Sequence, residues 1–91
     1  MKFKTLSLSA IGLLVSVAAA NATASDLCNV AEADRQPIEN LQSRLESEGW
    51  EIRKIKVDEG CYEAYAINAE GQRVEAYFDP QTFELIKSEI D

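Results

Sequence analysis

The chain has 91 residues, 46% of them apolar, no histidine and a net charge of −7. One ordinary domain takes all of that length, so a multidomain enzyme is excluded. The missing histidine removes Ser-His-Asp and Cys-His catalysis and the commonest zinc ligand. The acidic balance argues against nucleic acid, whose phosphates are held by Lys and Arg.

Residues 1–24 contain no acid and only two bases, Lys2 and Lys4. An apolar run from Leu6 to Ala20 leads to Ala-Asn-Ala at 20–22 and Ala-Thr-Ala at 22–24. This is the layout of a secretory signal peptide with two cleavage sites; the later is favoured because Ser25-Asp26 opens a polar segment. As a membrane anchor the run is short, since a helix of about 15 residues rises ~22 Å against a hydrocarbon core of ~30 Å. The remainder holds all 16 acids and seven of the nine bases, a net charge of −9. The expected divisions are a signal peptide over 1–24, an N-terminal arm over 25–35 and one domain over 36–91. The expected location is the periplasm or the outside of the cell, with no membrane attachment after cleavage.

The exported part carries two cysteines, Cys28 and Cys61. An oxidising compartment, an even count and a marginal core make a structural disulfide the expected reading, tying the arm to the sheet. Nothing supports a redox or metal site at these cysteines: there is no Cys-x-x-Cys, no histidine and no third thiol.

Ile38, Leu41 and Leu45 form one apolar helical stripe, with Glu39, Gln42, Ser43, Arg44 and Glu46 on the opposite face. Pro37 suits the first turn, Asp34 or Gln36 would cap it, and Gly49 is placed to end it in the left-handed conformation. After Gly49 the period changes to that of strands. Trp50, Ile52, Ile55 and Val57 alternate with a slip that a β-bulge near Arg53-Lys54 would repair. Glu59-Gly60 reads as a turn, Cys61 to Ile67 as a second strand, Glu70-Gly71 as a turn and Arg73 to Asp79 as a third strand. Asp79 to Thr82 has turn chemistry, and residues 83–87 fit either a short fourth strand or a helical turn. The expected fold is α+β, one helix on a small antiparallel sheet of three to four strands.

Pairing Asp58 with Cys61 across a two-residue turn sets Val57 opposite Tyr62 and Ile55 opposite Ala64. A three-residue loop at Ala69-Glu70-Gly71 then sets Ala66 opposite Val74, Ala64 opposite Ala76 and Tyr62 opposite Phe78. One face has alanine at its centre, leaving room for the helix. The other carries Lys54, Lys56, Glu63, Tyr65, Ile67, Arg73, Glu75 and Tyr77, and is expected to be open to solvent.

LESEGW at 45–50, followed by IRKIKVDEGCYEAYAINAEGQRVEAYFDPQT, resembles the PepSY domain (peptidase propeptide and YpeB-like) in its short exported form. The matching features are Gly49-Trp50 after the helix, Tyr62-Glu63-Ala64-Tyr65, Gly71, and Tyr77-Phe78-Asp79-Pro80-Gln81-Thr82. The resemblance covers roughly residues 36–87. It departs at Phe83, where the family usually has Gly, which leaves the geometry of the last turn open. It implies a helix on an antiparallel sheet and a role by contact with other proteins, as in propeptides that restrain a peptidase. The motif contains no catalytic residue to carry over.

Three side-chain groups are candidate sites. Arg53, Lys54 and Lys56 make a basic spot, read either as a seat for an acidic partner or as edge protection with a Lys56–Glu63 cross-strand pair. Asp58, Glu59, Glu63, Glu75 and Asp79 lack the spacing of a calcium loop and read as solvated carboxylates. Tyr65, Ile67 and Tyr77 on the open face are the best candidates for partner contact. The preferred reading is a small exported non-catalytic module, without cofactor, that binds or regulates a protein partner. A propeptide-like modulator of an extracytoplasmic protease is one version. The alternative is a free-standing protein binding a small ligand or ion, which a cavity between helix and sheet would favour.

Overall fold

The computed structural model describes residues 26–91; the signal-peptide reading of residues 1–24 and its cleavage sites lie outside the described residues. An arm with a 3₁₀ turn at Glu32–Asp34 leads into helix α1 (Ile38–Ser47). Four strands follow: β1 (Glu51–Asp58), β2 (Cys61–Ile67), β3 (Arg73–Phe78) and β4 (Leu85–Ile90). They form one antiparallel sheet in the order β1-β2-β3-β4.

The helix starts differently from the expectation. Pro37 is its N-cap and no side chain caps it. Asp34 lies in the 3₁₀ turn, and Gln36 donates its amide to the Gln81 carbonyl at 2.6 Å instead. The arm is thus pinned across to the β3–β4 turn, where the Gln36 N–H also donates to the Pro80 carbonyl. The helix end is as expected. Gly49 has φ +94°, its N–H donates to the Glu46 carbonyl, and the Trp50 N–H donates to the Leu45 carbonyl. This paired closure satisfies two carbonyls that the helix leaves free. It also turns Trp50 back onto the core beside Leu45.

The registers of the first three strands are those expected, including Asp58 opposite Cys61 and Ala64 opposite Ala76. The bulge falls at Arg53, between the Ile52 and Lys54 pairs. Ala64 and Ala76 are fully buried, and Leu41 and Leu45 close over them. Tyr62, Phe78 and Phe83 complete this core. The Tyr62 hydroxyl donates to the Gln36 carbonyl, fixing the joint between arm and helix.

Residues 85–90 form a strand, which resolves the open choice at the C-terminal end. The preceding turn keeps the left-handed residue that the family pattern expects, but with a side chain. Phe83 has φ +64° and is 5% exposed, packed 6.5 Å from Tyr62. The strain of that conformation, of order 1–2 kcal/mol, is offset by burying an aromatic ring. The Asp79 carboxylate accepts the N–H groups of Gln81 and Thr82, at 2.8 and 3.0 Å, and holds the same turn. The Thr82 N–H does most to keep its pKa below the usual range.

Candidate partner-binding face

The sheet face turned away from α1 is not uniformly open. Cys61 points to it, because it alternates with Tyr62, and the Cys28–Cys61 disulfide therefore brings the arm onto this face. Its Cα atoms are 4.9 Å apart and the two cysteines lie 33 positions apart in the sequence. The Cys28 N–H donates to the Glu59 carbonyl, so the arm lies along the β1–β2 turn. Any side chain at Gly60 would collide with the Cys28 carbonyl, which makes glycine a requirement there.

Two expectations for this face are corrected by that contact. Tyr77, expected to be exposed, is 7% exposed and packs with the disulfide. Its hydroxyl donates to the Asp58 carboxylate at 3.1 Å, and Lys87 lies over the ring at 4.8 Å. Burial foremost, then hydrogen bonding to Asp58 and Glu63, pushes the phenol pKa up. Glu63, expected to be a solvated carboxylate, is 1% exposed. It lies between Lys56 and Tyr77 in the ladder, and Lys56 pairs with it at 4.0 Å.

The other end of the face is open. Tyr65, Ile67, Arg53, Arg73, Glu75 and Asp91 line a groove of about 490 Å³, together with the neighbouring Ala66 and Val74. Tyr65 and Ile67 are half-buried and Arg53 is exposed. The basic spot is accordingly divided. Arg53 faces the groove and pairs weakly with Glu51 at 3.6 Å, whereas Lys54 and Lys56 lie over the Tyr65 ring at 4.9 and 5.6 Å. The groove therefore gathers Tyr65, Ile67 and Arg53 and leaves Tyr77, Lys54 and Lys56 outside its lining.

The sequence marks neither Arg73 nor Asp91 as a site residue, and it offers Glu75 only as one of five carboxylates that read as solvated. Arg73 is assigned to this face without a reason to prefer it, and Asp91 reaches it only because β4 forms. Glu75 is the electrostatic feature of the groove. Its carboxyl pKa is raised, first by hydrogen bonding to Glu63, next by burial, then by the charges of Asp91, Glu63 and Glu89. The Tyr65 phenol is raised as well, by burial and then by Glu63. Among the described residues no group of three or more metal-ligating side chains converges, and no helix is long and apolar enough to cross a membrane.

The model of the peptidase propeptide and YPEB domain matches residues 8–89. The chain belongs to that family. The helix, the four-stranded sheet and the left-handed residue after Thr82 are thus the PepSY domain of this chain. No curated protein and no solved structure matches the chain.

Proposed function

We propose that this PepSY protein is a small exported, non-catalytic module that binds and regulates a protein partner through the open end of its sheet. The observation that carries the reading is the groove in which Tyr65 and Ile67 offer aromatic and aliphatic surface between two arginines and two carboxylates. Aromatic and arginine side chains in partly desolvated sites are the usual anchors of protein contacts. A propeptide-like restraint on an extracytoplasmic protease is the version that membership of a peptidase-propeptide family supports. The Cys28–Cys61 bridge supports an oxidising compartment. The net charge of −9 over residues 25–91 favours a partner with basic as well as apolar surface.

Small-ligand binding, the alternative, draws on the volume of the groove, within the range of roughly 300–1,000 Å³ for ligand sites. The core beneath α1 is filled by Leu41, Leu45, Tyr62 and Phe78, so the groove is not the cavity between helix and sheet that this alternative called for. Its lining is also half charged, with Arg53, Arg73, Glu75 and Asp91, where ligand sites are mostly apolar.

The test is crosslinked capture from the exported fraction by the wild-type protein and by a Tyr65→Ala/Ile67→Ala variant. The reading expects capture that weakens with added salt and disappears in the folded variant. Unchanged capture by that variant would count against this face.

A further inference from the structure

We propose that the protein forms a symmetric dimer by antiparallel pairing of β4 with β4 of a second copy, centred on Ser88. β4 is an edge strand and all six of its residues are exposed. The Asp91 N–H donates to the Arg73 carbonyl, so Asp91, Glu89 and Lys87 direct their backbone groups to β3. Backbone direction alternates along a strand. Ser88 and Ile90 therefore present theirs outward, while a bulge at Ile86, flanked by the Tyr77–Lys87 and Phe78–Leu85 pairs, interrupts the alternation.

Centring two copies on Ser88 matches the outward groups of the two serines, sets Lys87 opposite Glu89 twice, and brings each Ile90 against the bulge at the second copy's Ile86. Ile90 lies on the α1 side of the sheet, since it is opposite Val74 and Ser88 is opposite Ala76. There α1 packs over β1 at the far edge and leaves Ile90 57% exposed; the bulged Ile86 is 38% exposed. The charged pairs lie on the other face, where unlike charges directly opposite are favourable and like charges are not. Sliding the partner by two residues sets Lys87 against Lys87 one way, and the other way Glu89 against Glu89 with Lys87 opposite Asp91. The Ser88-centred register is the one of the three without a like-charge pair. On β1, pairing centred on Ile55 or Lys56 brings lysine against lysine. Both edges carry a bulge, at Arg53 and at Ile86, and of the two only β4 has self-complementary charges.

Sedimentation of the disulfide-bonded protein from micromolar to millimolar concentration tests this. A concentration-dependent dimer is expected. Lys87→Glu and Glu89→Lys should each weaken self-association by roughly tenfold or more, because two attractive pairs become repulsive. The doubly reversed variant should recover it, and the two single variants should form a heterodimer when mixed. Ser88→Pro removes an outward N–H that β3 does not use, so it should leave the monomer folded and abolish the dimer. A wild-type monomer throughout the range overturns the proposal. So does self-association that both charge reversals and Ser88→Pro leave unchanged.

Discussion

One sheet face is covered at one end and open at the other. At the β1–β2 turn the arm is bonded down through Cys28–Cys61, and Tyr77 and Glu63 are buried. At the opposite end Tyr65 and Ile67 border an open groove. The two tyrosines lie on neighbouring strands of the same face, yet only Tyr77 is covered by the disulfide. Strand alternation assigns a residue to a face; whether that face meets water depends on what crosses it.

Breaking the covered end should have the largest effect. Replacing both Cys28 and Cys61 by Ala should lower stability by about 4 kcal/mol, the loop-closure value for a bridge of this span, measured by denaturant unfolding. Tyr77→Ala should cost about 3 kcal/mol, as truncation of a buried ring does. Ala76→Leu probes the α1 side: it should cost roughly 1–3 kcal/mol by pushing the helix off the sheet. Tyr65→Ala should stay within about 1 kcal/mol of wild type, because its ring borders solvent. Equal losses from Tyr65→Ala and Tyr77→Ala would erase the contrast between the two ends.

The smallest effect is in pH. The folded-state pKa of Glu75 lies above its unfolded value of about 4.3, so its folded form binds the proton more tightly. Stability should rise as pH falls through the raised value, with the gain complete below the unfolded one. Asp79 has the opposite sign: its folded pKa is depressed, so its contribution is present above about 3.9 and is lost as pH falls further. Thermal unfolding should therefore show maximal stability in mild acid, and Glu75→Gln should remove the rise on the way there.

Much of the fold was legible because local signals agreed. Gly49 marked the helix end, the two-residue turn at Glu59-Gly60 fixed the β1–β2 register, and the alanines at 64, 66 and 76 marked the face that accepts α1. β4 was not decided by Phe83, Leu85, Ile86 and Ile90, whose spacing suits a helical turn as well as a strand. What decides it is a tertiary partner, the outer side of β3. The burial of Tyr77 and Glu63 was missed although its signal was present. Cys61 shares their face, so a bridge from the arm had to lie over it. Phe83 shows the converse, a position that backbone geometry reserves for glycine being held by a ring because the core has room for it.

The central claim is that the open end of this face meets a protein partner while the bridged end is structural. Placing a photo-crosslinking side chain at Ile67, and separately at Glu39 on the solvent face of α1, tests it most directly. Irradiation with the exported fraction should give a discrete protein adduct from position 67 and none from position 39. An adduct from position 39 alone, or none from a folded protein labelled at 67, would contradict it.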